Sequence, residues 1–218
     1  MTVIKHHENF KHFFEVNHPL VAGKLTLLRQ KQTDHKLFRE LIHEITLLLG
    51  YEATQNLVTQ SMEIHTPMET CQSPFLAGPS PVILPILRAG IGMVDALLSL
   101  MPAAKVGHIG LFRNDKTLQP EGYYFKVPED SHLRPFYVCD PMLATGGSAI
   151  RAISTLKDHG VKSITFLCVL AAPEGLKAFF EVHPDVKIYA ASVDRCLDEH
   201  GYIRPGLGDA GDRMFGTL

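Results

Sequence analysis

Apolar residues recur at helical spacing from Asp34 to Gly50, where Leu37, Phe38, Leu41, Ile42, Ile45, Leu48 and Leu49 mark one face of an amphipathic helix. Beyond Pro81 the pattern changes to short apolar runs separated by helical stretches. Val82–Ile86, Val106–Phe112, Phe136–Asp140, Ser163–Leu170 and Val186–Ala191 read as strands. Between them Ile91–Leu100, ended by Met101-Pro102, then Ser148–His159 and Pro173–Val182 read as helices, with Pro173 suited to a first turn. Strands alternating with helices predict an α/β fold: a mainly parallel sheet flanked by helices on both faces. Three segments stand outside this rhythm. Residues 1–16 form a polar-aromatic N-terminal extension expected to be helical, Ser61–Pro81 is expected to be irregular, and Asn114–Gly122 to be a mobile loop. Residues 17–218 are expected to form a single domain.

Composition narrows the class without naming it. The chain has 218 residues, 45 % of them hydrophobic and 20 % charged, an ordinary balance for a water-soluble domain. A chain this long buries roughly 70 % of its unfolded surface and needs no disulfide or metal staple. The net charge of -2 gives no basic footprint for nucleic acid. No apolar run reaches membrane-spanning length, and the N-terminus lacks the apolar core of a signal peptide. Four cysteines lie far apart without a C-x-x-C pair, and twelve histidines show no metal-ligand spacing. A cytoplasmic protein with inert, buried thiols at Cys139 and Cys168 is expected.

The richest stretch is Asp140-Pro141-Met142-Leu143-Ala144-Thr145-Gly146-Gly147-Ser148, between the strand ending at Cys139 and the helix ended by Gly160. A strand-to-helix turn at the carboxyl edge of an open sheet is where such folds bind ligands. Thr145 and Ser148 supply hydroxyls, and Gly146 and Gly147 let backbone N–H groups approach an anion at the positive end of a helix. Asp140, at the strand tip, suits sugar hydroxyls. A phosphorylated sugar fits this set. The string is neither a P-loop nor a dinucleotide fingerprint, because neither Gly-Lys-Ser/Thr nor G-x-G-x-x-G is present.

Two arginines extend the ligand. Arg88, in Leu84-Pro85-Ile86-Leu87-Arg88-Ala89-Gly90, and Arg113, in Leu111-Phe112-Arg113-Asn114, both stand at strand ends on the expected ligand edge. Two cations beside a phosphate turn favour a diphosphate-bearing molecule. The tail from Gly201 to Gly216 interleaves glycines with Tyr202, Ile203, Leu207, Met214 and Phe215, which predicts an ordered loop rather than a frayed end. Backbone groups freed by its glycines, with Ile203 as an apolar wall, suit a small planar molecule. Asp209 faces a cation or polar substrate atom, or forms a turn.

Asp140–Ser148 resembles the phosphoribosyl-diphosphate motif of type I phosphoribosyltransferases. Pro85–Gly90, Tyr51-Glu52-Ala53-Thr54, Ala171-Ala172-Pro173-Glu174-Gly175 and Pro205–Asp212 are similar to strings of the uracil phosphoribosyltransferase family. Pro141, standing where most type I relatives carry a second acid, agrees with that branch. The resemblance, from about Asn17 to Leu218, implies a type I phosphoribosyltransferase-like fold whose C-terminal base-binding hood is about residues 201–216. It implies transfer of phosphoribose from phosphoribosyl diphosphate to N1 of uracil, giving UMP and diphosphate. Arg88, Arg113 and Asp140–Ser148 would bind the donor. Asp209 would face the diphosphate and its Mg²⁺-bound water, while Ile203 and Gly208–Ala210 would hold uracil. Asp140, Asp209 and Arg113 carry the catalytic expectation, with no general base assigned. A homodimer or homotetramer is implied, with no nucleic-acid or membrane partner. Pro79-Ser80-Pro81 replaces basic residues common in relatives and leaves a GTP effector undecided. A transferase for another base and a donor-sensing regulator of RNA or DNA are the competing readings. The hood favours uracil over the first, and the missing basic face counts against the second.

Overall fold

The computed structural model describes residues 4–7, 10–113 and 120–217. In chain order it contains β1 (Ile4–His7), β2 (Phe10–Val16), α1 (Pro19–Arg29), α2 (His35–Thr54), β3 (Thr59–His65), β4 (Thr70–Leu76) and β5 (Val82–Leu87). A 3₁₀ turn over Ala89–Met93 leads into α3 (Val94–Leu100), followed by β6 (Lys105–Val106), β7 (His108–Arg113), β8 (Pro120–Lys126), β9 (Phe136–Cys139) and β10 (Met142–Leu143). The remainder is α4 (Gly147–Asp158), β11 (Ile164–Ala171), α5 (Pro173–Val182), β12 (Lys187–Val193), β13 (Cys196–Leu197), β14 (Ile203–Arg204) and α6 (Ala210–Phe215).

The main sheet runs β1-β2-β12-β11-β9-β5-β7-β8, with β10 added to β11 and β6 to β5. It is parallel from β2 through β7 and antiparallel only at the β1–β2 and β7–β8 edges. After β5 the chain builds outward to β7, then returns to place β9 on the other side of β5 and continues to β11 and β12. The strand order therefore reverses between β5 and β9, which is where an open parallel sheet binds its ligands.

Alternation along each strand feeds two cores. In β9, Phe136 and Val138 face the layer holding Ala152, Ile153 and Leu156 of α4 and Leu176 and Phe179 of α5. Tyr137 and Cys139 face the opposite layer, with Leu25 and Leu28 of α1 and Phe38, Leu41, Ile42, Ile45 and Leu49 of α2. Burial pushes the Cys139 and Cys168 thiols well above the usual range, which leaves them unreactive.

The amphipathic helix expected at Asp34–Gly50 is present and longer. The Asp34 carboxylate caps it by accepting from Leu37 N at 2.8 Å, which holds the Asp34 pKa below its ordinary value. The N-terminal segment is strand rather than helix. Phe10 and Phe13 pack into one core and Phe14 and Val16 into the other, and β2 pairs with Ile188–Ala190 of β12. Thr59–Leu76, expected to be irregular from Ser61 onward, contains the antiparallel hairpin β3–β4, tied by seven residue pairs from Thr59↔Leu76 to His65↔Thr70. Of the expected loop at Asn114–Gly122, residues 114–119 lie outside the described residues and 120–122 belong to β8. The expected strand over Val106–Phe112 is broken at Gly107, where an added Cβ would stand 2.9 Å from the Lys126 carbonyl oxygen.

Candidate active site

Because β5, β7 and β9 are parallel neighbours, Arg88, Arg113 and Asp140 stand at one edge of the sheet. The Leu87–Arg88 peptide is cis. The 3₁₀ turn that follows presses against β9, so that a Cβ added to Gly90 would lie 2.3 Å from the Cys139 carbonyl oxygen. Only glycine lets these two turns meet at the switch point. Arg113 ends β7, and its side chain lies outside the described residues.

The phosphate-type turn is held from behind. Asp140 N donates to Leu167 O, the Pro141 carbonyl accepts from both Val169 N and Leu170 N, and Leu143 O accepts from Ala172 N. Gly146, at φ +86°, caps α4 in the left-handed region and leaves Thr145 and Ser148 exposed at its start. Gly175 at the head of α5 seals the underside. A Cβ there would fall 2.1 Å from the Ala144 carbonyl oxygen.

Asp140 is the electrostatic anomaly of the crevice. Its side chain is half-buried, and burial pushes its pKa up to about 7. The Met142 N–H, 3.3 Å from Oδ1, opposes that shift, and the nearby Asp209 carboxylate adds to it. Two carboxyl groups thus share the cleft. They suit a site that receives a cation or hydroxyl donors with its ligand.

The C-terminal segment closes the cleft. β13 and β14 form a short hairpin, and the Glu174 carboxylate of α5 accepts from Leu197 N at 3.0 Å. Its turn is fixed by Asp198, whose carboxylate accepts from His200 N, Tyr202 N and Arg204 Nε and is held below its ordinary pKa. Asp209 caps α6 by accepting from Asp212 N at 2.9 Å, and Asp212 accepts from Arg88 Nη2 at 3.3 Å. A Cβ on Gly201 would touch the Thr145 methyl at 3.4 Å, so the hood meets the phosphate-type turn as well. Gly208 and Asp209 are exposed, and Ala210 is buried behind them. Ile203, expected as an apolar wall, is buried with Leu207, Ala210 and Met214 in the α1–α2 core.

Asp140–Ser148, Arg88 and Gly208–Ala210 therefore come together around one crevice. Sequence reasoning missed Asp212 as the partner of Arg88, although the tail string contains it. It also missed Arg29 and Asp194, which no local pattern marks. Among the described residues no group of three or more His, Cys, Asp or Glu side chains gathers at a point that could hold a metal ion. The donors in the cleft are Asp140 and Asp209.

A parallel sheet with a phosphate-type turn at its switch point and a C-terminal hood is the type I phosphoribosyltransferase fold. The AQ2163 protein from Aquifex aeolicus superposes with a TM-score of 0.89 at 35 % identity, covering 93 % of this chain and 97 % of that one. Adenine phosphoribosyltransferase from Leishmania donovani, at 15 % identity and a TM-score of 0.59 over 91 % of this chain and 89 % of its own, shares the fold alone. Residues 15–217 match the uracil phosphoribosyltransferase family. Uracil phosphoribosyltransferase from Streptococcus pneumoniae R6 is 57 % identical over 202 residues, covering 93 % of this chain and 97 % of the relative. Its counterpart from Listeria innocua is 54 % identical over the same shares. The chain belongs to the uracil phosphoribosyltransferase family.

Proposed function

We propose that this protein is the uracil phosphoribosyltransferase of a pyrimidine salvage reaction. It transfers the 5-phosphoribosyl group of phosphoribosyl diphosphate to N1 of uracil, giving UMP and diphosphate. The observation that carries the reading is the switch point between β5 and β9. There a phosphate-type turn, Arg88 and Asp140 face a hood whose exposed tip is Gly208-Asp209.

Each group has a task. Thr145, Ser148 and the backbone of Ala144–Gly147 hold the 5′-phosphate at the head of α4, and Asp140 receives the ribose hydroxyls. Arg88 and Arg113 bind the diphosphate. Arg88 already leans on Asp212 and exchanges that weak, exposed pair for the stronger charge of the donor. Gly208, Asp209 and Ala210 present backbone and carboxylate groups to uracil. In the reaction the C1′–N1 bond forms, the bond from C1′ to the diphosphate oxygen breaks with its electron pair, and the N1 proton passes to solvent. Bond breaking runs ahead, so positive charge on the ribose ring and negative charge on the leaving group are what the site stabilises. Mg²⁺ bound with the donor, its water facing Asp209, would supply further positive charge for the leaving group.

A site that pairs with O4 and N3–H of uracil rejects the amino group of cytosine by on the order of 10⁴. The four free thiols fit the reducing cytoplasm, and no described helix is long and apolar enough to cross a membrane. A homodimer or homotetramer is part of the same reading, supported by the apolar surface of the β3–β4 hairpin. The test is UMP formation from uracil, phosphoribosyl diphosphate and Mg²⁺, run with a panel of free bases and with and without GTP. No UMP overturns the assignment. A different preferred base reassigns the acceptor, and the GTP arm decides effector control. Arg113→Ala is expected to raise KM for the donor far more than KM for uracil, and equal rises would remove Arg113 from the diphosphate site.

A further inference from the structure

Among the described residues the tip of the hood, Gly208–Ala210, makes no ladder with the main sheet. Its position is set from elsewhere. Arg29, the last residue of α1, donates from Nη1 to Asp194 Oδ2 at 2.7 Å and to Gly206 O at 2.8 Å, and from Nη2 to Asp194 Oδ1 at 2.5 Å. Asp194 Oδ2 also accepts from Gly206 N at 2.8 Å. The Gly206 residue is thus gripped at both polar ends, its N–H by the acid and its carbonyl by the base. Asp194 is 7 % exposed and is itself anchored to the end of β11 through Asp194 N to Ala171 O.

Gly206 cannot be replaced in this grip. Its φ is +63°, and an added Cβ would lie 2.0 Å from the Ile203 carbonyl oxygen. The next residue is held from the same place. Arg213 Nη1 donates to Leu207 O at 2.7 Å and Leu28 O at 2.9 Å, while Nη2 donates to Gln30 O at 2.6 Å. Residues 206 and 207 are therefore buried and tied to the end of α1, and residues 208 and 209 emerge exposed directly after them.

We infer that Arg29 and Asp194 are positioning residues for uracil recognition: the forked pair fixes Gly206 so that Gly208–Ala210 present their groups to the base. A bidentate Arg–carboxylate pair holds direction as well as distance, which suits a loop that must read a small planar ligand. The phosphate-type turn of the donor half has its own supports in β11 and α5, so the donor feels this pair mainly through Asp209. The inference rests on the uracil-transfer reading. Wild-type UMP formation tests that reading first and separately.

The experiment compares R29K, which keeps the charge but loses the fork, R29M, and D194N with the parent chain, each at a temperature well below its own melting point. The expected result is a rise of about tenfold in KM for uracil with a clearly smaller rise in KM for the donor. The preference for uracil over cytosine in kcat/KM is expected to fall, with R29K retaining more of both than R29M. Folded variants with unchanged uracil KM and base preference, or with equal rises for both substrates, would overturn it. Failure of all three to fold would also overturn it, since the pair would then be a structural clasp. If only R29M fails, R29K and D194N decide.

Discussion

A carboxyl group buried at a strand end, with a second carboxylate close by, is held back from ionising. Asp140 shows this, with a pKa pushed up to about 7 by burial and by the neighbouring Asp209. In the unfolded chain the same group loses its proton near pH 4. Between about pH 4 and 7 the folded protein therefore holds a proton that the unfolded chain has released. The stability this contributes is present below that window and lost as pH rises through it. Asp140→Asn, close in shape and always neutral, removes the dependence. Its melting temperature is expected to exceed the parent's at about pH 8.5 and to converge on it toward about pH 4. UMP formation is expected to be lost at about pH 8.5, where the parent presents a carboxylate to the ribose and the variant an amide. A pH-independent melting difference would place the source of the strain elsewhere.

At the scale of elements, the chemistry was legible because it is local. The strand ending at Cys139, the turn to Ser148 and the helix to Asp158 each declare themselves within a few residues, as do Arg88 and its glycine. The N-terminal segment misled for a definable reason. Phe10, Phe13 and Phe14 satisfy i, i+3, i+4 spacing as well as they satisfy a strand, and the decision is made far away by pairing with Ile188–Ala190. The β3–β4 hairpin carries almost no buried side chain and so has no periodicity to read. Arg29 and Asp194 lie 165 residues apart, and only the fold pairs them. The packing of α5 on the phosphate-type turn is likewise invisible in sequence, and it can be tested. Gly175→Ala forces a methyl group toward the Ala144 carbonyl oxygen, 2.1 Å away. We expect a loss of about 1–3 kcal/mol in urea unfolding. A rise in KM for the donor that exceeds the rise for uracil should accompany it, because Ala144 belongs to the phosphate side of the cleft.

Across the whole molecule, the opposite edge of the sheet carries the unfinished surface. Among the described residues the β3–β4 hairpin pairs with no other strand, and an isolated two-stranded hairpin is at best marginally stable in water. Val58, Phe75 and Leu76 are 70 %, 55 % and 52 % exposed, and Leu133 nearby is 64 % exposed. Val58, Phe75, Leu76 and Leu133 also line an apolar cavity of about 540 Å³ with Leu100 and Met101, remote from the ligand edge. Apolar surface gathered this way is the usual mark of an interface, and a stable one buries about 1,200–2,000 Å² in total. A second copy of the chain is the partner consistent with the homo-oligomer proposed above. Light scattering should give the intact protein the mass of a dimer or tetramer. Introducing Phe75→Glu with Leu133→Glu sets two buried charges against that interface, and the mass should fall to a smaller species. Melting should also become less dependent on protein concentration, because folding draws less stability from association. A parent chain that is already monomeric, or a double variant that keeps the parent's mass, would leave this surface without that role.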